Sequence, residues 1–226
     1  MSMRGPKEAL LIQFAAVAKA VAHAHRLELL EVLAQGERSV EALADKAGLS
    51  IANTSQHLQQ MRRAGIVSAR REGKFVFYQL ADDAVLDLLI ALRRLAERNS
   101  AEVERVIRNY FHDRDSMEPV SRAELVRQSR AGAVTVLDVR PADEFALGHL
   151  PDAVNIPLRE LERRLSELDP SQQIVAYCRG PYCVLAFEAV ALLRKRGFQA
   201  RRMQDGFPEW RNALTHVSGM SRRYSK

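Results

Sequence analysis

Ser39-Val40-Glu41-Ala42-Leu43-Ala44-Asp45-Lys46-Ala47-Gly48-Leu49-Ser50-Ile51-Ala52-Asn53-Thr54-Ser55-Gln56-His57-Leu58 decides the fold of the first half of the chain. Ser39 is placed to cap a short helix through Leu43 to Ala47, because its hydroxyl can accept from an unpaired N–H of the first turn. Gly48 follows, where a positive φ costs little and a tight turn can form. Ser50 caps a second helix that runs to about Ala64 and stops at Gly65, with Leu58 and Met61 on its buried side. The period then changes. Ile66 to Arg71 and Phe75 to Leu80 are short β-compatible runs around Glu72-Gly73, which is a hairpin signal.

Upstream, Leu10, Phe14, Val17 and Val21 recur at helical spacing, as do Leu27, Leu30 and Leu33 before a stop at Gly36. Downstream, a helix begins near Asp82. Val85, Leu88, Leu89, Leu92, Leu95, Val103, Val106 and Tyr110 continue its apolar stripe for about 25 residues. A core contact within the chain would cover such a stripe. A dimer interface with the first helix is the preferred reading, because so small a half offers little to cover both.

The full chain has 226 residues and a mass of 25.5 kDa, enough for two domains. Its 47% hydrophobic and 27% charged residues are ordinary globular composition, and two cysteines exclude a disulfide-stapled scaffold. No apolar run approaches the ~18–20 residues of a membrane span; the longest, Ala9 to Ala24, is broken by Gln13 and Lys19. A cytoplasmic protein with no membrane partner is expected. The net charge of +6 makes an anionic partner plausible. Between Asn53 and Tyr78 the basic residues are Arg62, Arg63, Arg70, Arg71 and Lys74, and Glu72 is the only acid. A solvated basic face is the plain alternative.

Short helix, glycine turn, longer helix and basic hairpin together make a winged helix-turn-helix. Its second helix suits the major groove of double-stranded DNA. Asn53, Thr54, Gln56, His57 and Gln60 offer polar groups to base edges, and Ser50 at the helix start belongs to the same candidate surface. Arg62, Arg63, Arg70, Arg71 and Lys74 suit phosphates, which set orientation and most of the affinity.

His25-Arg26-Leu27, Val40-Glu41-Ala42-Leu43-Ala44, Gly48-Leu49-Ser50, Ser55-Gln56-His57-Leu58, Ala64-Gly65-Ile66-Val67 and Arg71-Glu72-Gly73-Lys74-Phe75-Val76-Phe77-Tyr78 resemble the ArsR-type transcriptional regulators, in the family's order and spacing over about residues 8 to 100. The resemblance implies a homodimer on an operator of twofold symmetry, usually repressing until an inducer binds. Many members sense metals through cysteines before the recognition helix or through Asp and His of the last helix. This half has no cysteine, and its last helix has Asp82, Asp83 and Asp87 but no histidine before His112. His23 and His25 read as packing or capping residues, and His57 as a DNA contact. No metal site is expected here, since a soft-metal site needs thiolates.

Asp113 to Pro119 lacks periodicity, which places a linker at 113–120 between a winged-helix and dimerisation domain, 1–112, and a second domain, 121–218, with a basic tail at 219–226. Ser121 and Glu124 form a capping-box signature. Val134 to Val139, Ala153 to Ile156, Ile174 to Tyr177 and Ala200 to Met203 read as strands, with helical patterns such as Leu158 to Leu168 and Cys183 to Arg196 between them. That alternation implies a parallel sheet covered on both faces, with ligands beyond the strand ends. This points to the loop after Tyr177: Cys178, Arg179, Gly180, Pro181, Tyr182 and Cys183. A thiol between strand end and helix start is pushed towards thiolate by the helix dipole and the loop N–H groups. Gly180 allows unusual backbone angles, and Pro181 removes one donor. The alternative is a small core cysteine, which the helix start and the neighbouring Arg179 argue against.

Leu137-Asp138-Val139-Arg140-Pro141, Glu144-Phe145, Gly148 through Pro157, the Tyr177-Cys178-Arg179 loop entry and Asp205-Gly206-Phe207-Pro208-Glu209-Trp210 resemble a single rhodanese domain over about residues 118 to 215. The resemblance implies a five-stranded parallel sheet and sulfur transfer through a Cys178 persulfide, with a small sulfur donor or acceptor as partner and no cofactor. By the same resemblance Asp138, Arg140 and His149 are scaffold residues. Phosphatases on this fold end a loop one residue longer with a phosphate-gripping arginine. Val184 stands there, which argues against phosphate ester hydrolysis. Cys183 is either a resolving thiol, provided its Cα lies within about 7 Å of that of Cys178, or a core residue at the helix start.

Three functions stay open at this point: a transcription regulator whose DNA affinity follows the sulfur or oxidation state of Cys178, a sulfurtransferase merely targeted by the helix-turn-helix, and a constitutive DNA-binding dimer with an inert second domain. Reduction of an oxyanion such as arsenate through the cysteine pair is chemically open but weaker.

Overall fold

The computed structural model describes residues 5–112 and 117–214. The linker positions 113–116 and the proposed basic tail at 219–226 lie outside the described residues. Two compact units divide between Ala91 and Leu92.

The first unit is built from helices and a small sheet. α1 (Pro6–Val21) and α2 (Ala24–Leu33) precede β1 (Arg38–Ser39), α3 (Val40–Ala47), α4 (Ile51–Arg63), β2 (Val67–Glu72) and β3 (Phe75–Leu80). The caps form where the sequence places them. Ser39 Oγ accepts from the Ala42 N–H at 3.3 Å, and Ser50 Oγ from the Asn53 N–H at 3.2 Å. Between them Gly48 adopts φ 63°, and the Leu49 N–H donates back to the Ala44 carbonyl at 2.9 Å. β2 and β3 pair antiparallel from Val67↔Leu80 to Glu72↔Phe75, so the wing turns at Gly73-Lys74. β1 adds to the far side of β3; two residues are too few to show a period in sequence. Leu29, Leu30, Leu43, Leu58 and Met61 are fully buried and form the centre of this unit.

α5 (Asp83–Asn99) starts where the stripe predicts, but the long helix is broken. Ser100 leaves helical geometry (φ −109°, ψ 109°) and caps a new helix, α6 (Ala101–Val106), by accepting from the Val103 N–H at 3.3 Å. The Asn99 amide donates to the Leu95 carbonyl at 2.9 Å. Two adjacent side chains that compete for backbone groups end the helix there. A π-helical turn, Ile107–His112, follows.

The second unit carries a parallel sheet in the order β5-β4-β6-β7, from β4 (Val134–Asp138), β5 (Val154–Asn155), β6 (Gln173–Tyr177) and β7 (Ala200–Arg202). Among the described residues it has four strands, not the five that the rhodanese resemblance implies. The fifth position is reduced to one bridge: the Val120 N–H donates to the Arg202 carbonyl at 2.7 Å, and the Gln204 N–H to the Val120 carbonyl at 2.9 Å. Pro119 has no N–H, and Ser121 already caps α7 (Arg122–Arg130), so only Val120 is free to pair. The short helices α8 (Ala142–Phe145) and α9 (Leu158–Leu161) lie between strands, and side-chain alternation splits the core into two layers. Leu137, Ile174, Ala176 and Cys178 pack towards α10 (Val184–Lys195), while Val136, Val175 and Tyr177 pack with Leu125, Phe207 and Trp210. Among the described residues no helix is long and apolar enough to cross a membrane.

Candidate functional site

Strand β6 delivers Cys178 to the carboxyl edge of the sheet, and Cys183 stands at the N-cap of α10. Between them the loop curls back, and a disulfide joins the two residues with their Cα atoms 6.1 Å apart. That separation is inside the range a disulfide needs. Cys178 is 1% exposed and Cys183 half-buried. The Cys183 N–H is committed to the Gly180 carbonyl at 3.2 Å, and Pro181 has no N–H. Neither Pro181 nor Cys183 therefore offers a backbone donor to an anion here.

The loop is held from three directions. Arg179 does not point a free cation at the sulfur: its Nε and Nη2 donate to both oxygens of the fully buried Glu144, at 2.8 and 2.7 Å. Arg202 Nη1 donates to the Pro181 carbonyl at 3.2 Å. Gly206 presses against the loop from the third side. A Cβ there would come within 2.4 Å of the Arg179 carbonyl carbon and the Gly180 nitrogen, so only glycine fits. The Gly206 N–H donates to Glu209 Oε2 at 3.0 Å, and Glu209 Oε1 accepts from Arg93 of α5 at 2.9 Å. Tyr182 also reaches α5. Its hydroxyl donates to Glu97 Oε1 at 2.9 Å, and burial, then the Glu97 carboxylate, push its pKa up to about 12. Arg93 and Glu97 are themselves an ion pair at 3.7 Å.

Beneath the loop, Asp138 and Arg140 form a pair with neither side chain exposed. Arg140 Nη2 also donates to the Gly148 carbonyl at 2.8 Å, and the Asn155 amide donates to the carbonyls of Asp138 and Arg140 at 3.0 Å. This ties β4 to the loop before β5. His149 Nδ1 lies 3.0 Å from the Phe145 carbonyl, and its ring stacks on Phe145.

In the first unit the polar residues of α4 divide. Gln56, Gln59, Gln60, Arg62 and Arg63 are exposed, with Asn53 and Ser55 half-buried and Ser50 exposed at the cap. Gln60 is engaged by Arg26, which donates to its Oε1 at 2.6 Å. Thr54 and His57 face inward, at 0% and 8% exposure, contrary to the reading that put them on the DNA side. Leu58 and Met61 carry the signal that finds this: Thr54, His57, Leu58 and Met61 stand at i, i+3, i+4 and i+7, one face of the helix. The outward counterparts missed in the sequence are Ser55 and Gln59, joined by an amide-to-hydroxyl hydrogen bond of 3.3 Å. On the wing, Arg71 and Lys74 are exposed. Arg70 is exposed but bridges Glu37, at 2.7 Å through both Nε and Nη2, and Glu72.

His57 packs on His23 and His25, with ring centroids 4.6 and 5.6 Å away. Burial, then His23, Arg26 and His25, hold its pKa below the usual histidine range. No single stretch of sequence contains this grouping.

Residues 121–213 match the rhodanese-like domain family and residues 21–69 a helix-turn-helix domain family. An HTH-type transcriptional regulator of Mycobacterium tuberculosis (strain ATCC 25618 / H37Rv), Rv0324, is 44% identical over 207 residues, covering 92% of this chain and 91% of that protein. The nodulation protein NolR of Rhizobium meliloti is 40% identical over 85 residues, 38% of this chain and 70% of its own length. Among solved structures, the homodimeric winged helix-turn-helix DNA-binding domain of Mb0332 from Mycobacterium bovis, a possible ArsR-family regulator, is 38% identical, with TM-score 0.41, over 45% of this chain and 94% of that one. The chain belongs to the ArsR-type helix-turn-helix transcriptional regulators, in the form that carries a C-terminal rhodanese-like domain.

Proposed function

We propose that this regulator binds operator DNA as a cytoplasmic homodimer and that the sulfur state of its Cys178–Cys183 pair sets its DNA affinity. The DNA surface is the outward stripe of α4, with Ser55, Gln56 and Gln59 towards the bases and Arg62, Arg63, Arg71 and Lys74 towards phosphates. Homodimerisation uses α1 and the first half of α5, where Leu10, Phe14 and Leu88 are 57%, 63% and 37% exposed. Isolated apolar stripes of that size ask for a partner.

The chemistry is a two-thiol cycle. In the dithiol state the Cys178 thiolate attacks the outer sulfur of a small persulfide, R–S–SH, and R–S⁻ leaves, giving Cys178–S–SH. The Cys183 thiolate then attacks the inner sulfur. The Cys178–Cys183 disulfide closes and hydrosulfide departs. Two equivalents of a reducing thiol reopen the pair: the first forms a mixed disulfide at the more exposed Cys183, and the second releases it as R–S–S–R. The observation that carries this reading is the 6.1 Å separation of the two Cα atoms, with Tyr182 of the same loop bonded to Glu97 of α5. Opening or closing the pair moves Tyr182, and α5 is one continuous helix back to Asp83, which begins in the DNA-binding unit.

The test is fluorescence anisotropy on a duplex selected from a random pool by the full chain. Affinity is compared for the dithiol, persulfide and disulfide forms, each verified by intact mass, and for Cys178→Ser. The expected result is a change of at least tenfold between dithiol and disulfide that Cys178→Ser abolishes. Equal affinity in all forms defeats the sensing reading. Rapid thiosulfate:cyanide turnover with unchanged affinity would favour the targeted sulfurtransferase instead.

A further inference from the structure

His23 and His25 flank the start of α2, and His57 lies on the inner side of the recognition helix α4. The chain separates them widely, yet one ligand-capable nitrogen from each falls within 4.8 Å of the others. The three rings differ in exposure: His23 is exposed, His25 half-buried and His57 only 8% exposed. A trio graded in this way has a closed floor and an open mouth.

Hydrogen bonding points the same way. His57 Nδ1 and His25 Nδ1 are buried and have no partner among the described residues. A buried imidazole nitrogen without a partner gives up a hydrogen bond it would make in water, and native interiors seldom leave one so. His23 differs: its Nδ1 accepts from the His25 N–H at 3.1 Å and so caps α2. No carboxylate belongs to the group. Arg26, which lies close by, spends its guanidinium on Gln60 and on the carbonyls of Lys19 and Ala22.

We propose that His23, His25 and His57 form a binding site for a borderline divalent transition ion, of the Zn²⁺, Co²⁺ or Ni²⁺ class. Three neutral imidazoles with a fourth position open to water or an anion are a donor set these ions take. Nitrogens bonded at ~2.0–2.1 Å to a tetrahedral ion sit about 3.3 Å apart, so the group must contract by about 1.5 Å at most. Rotation of the exposed His23 and half-buried His25 towards the fixed His57 supplies that movement. The absence of cysteine excludes a thiolate site in this half but leaves an imidazole site open. An ion held here would tie the α1–α2 junction to the helix that reads DNA. Loading also competes with the α2 cap. A neutral His23 that accepts at Nδ1 carries its proton on Nε2. Binding through Nε2 moves that proton to Nδ1, and binding through Nδ1 uses the capping lone pair, so the cap is lost in either case.

The test uses the untagged full chain with Cys178→Ser and Cys183→Ser, so that thiolates cannot compete, titrated with Co²⁺. The expected result is one Co²⁺ per chain with the intense visible d–d bands of a four-coordinate ion, displaced by Zn²⁺. His23→Asn, which keeps a capping side chain, and His25→Asn should each weaken binding by more than the ~10–100-fold that loss of an outer partner costs a metal site. His57→Asn puts the fold at risk. His57 is therefore followed without mutation, by its imidazole ¹⁵N resonances, which should move on Zn²⁺ addition along with those of His23 and His25. Absence of a Co²⁺ complex, retention of affinity in either variant, or a stationary His57 ring overturns the proposal.

Discussion

Arg70 and Arg140 each hold a carboxylate two residues away, and little else about them is alike. Arg70 bridges Glu72 and Glu37 on the wing with half its side chain in water, while Arg140 grips Asp138 beneath the cysteine loop with neither side chain exposed. The wing pair is screened by solvent, and an exposed pair of this kind adds little to stability. The buried pair has no such screening, and removing one partner strands the other charge in a dry site. The two halves thus use charge differently. In the first, arginines are spread over a surface that solvent or phosphate can satisfy. In the second, Arg140–Asp138 and Arg179–Glu144 hold the cysteine loop in shape from below.

Substitutions can break this contrast. The largest effect is expected for Arg140→Ala, which should cost about 3–5 kcal/mol of stability in the second unit. Trp210, the only tryptophan, is 8% exposed in that unit, so its fluorescence in a urea titration reads the loss directly. A loss below about 1 kcal/mol would mean the buried pair is no more structural than the wing pair. Gly206→Ala comes next, at about 1–3 kcal/mol, because the atoms its Cβ meets are backbone and cannot swing aside. The same titration, with the rate of disulfide closure after reduction, checks it.

Tyr182 gives a smaller, pH-dependent effect. Its hydroxyl pKa is raised from 10.0 to about 12, so the fold favours the protonated form. The stability it contributes is complete below pH 10 and is lost as pH rises through 12. The difference in denaturation midpoint between the wild type and Tyr182→Phe should therefore shrink across that window. The smallest effects are expected at the proposed DNA surface. Arg63→Ala should lower the salt dependence of duplex binding by about one phosphate contact. Arg70→Ala should lower it by less, since Glu37 and Glu72 already neutralise that guanidinium, and should change stability by no more than about 1 kcal/mol. Equal slopes for the two variants would show that Arg70 leaves its carboxylates when DNA arrives.

Local features were legible in the sequence. Ser39, Gly48 and Ser50 mark both helix starts and the turn between them because each acts on backbone groups within a few residues. The alternation along β6 likewise sends Ile174 and Ala176 to one layer and Val175 to the other, as a period of two requires. What escaped depends on which way a side chain turns, or on partners far away in the chain. Thr54 and His57 are polar, so composition placed them outward, while Leu58 and Met61 on the same face carried the contrary signal. The pairing of Arg179 with Glu144 and the approach of Gly206 to the cysteine loop join segments that no local pattern connects. The single bridge at Val120 escaped for another reason: Pro119 and Ser121 each have a local role that truncates the strand.

That truncation has a consequence for how the protein meets its own copies. An open sheet normally ends in a row of unpaired N–H and C=O groups that invites a foreign strand. Here one flank of the sheet is β5, only two residues long, and the other is closed over by Val120, with Arg201 fastened to the Glu118 carbonyl beside it. Little template remains on either flank. The sheet of the second unit thus offers little to edge-to-edge pairing with another strand.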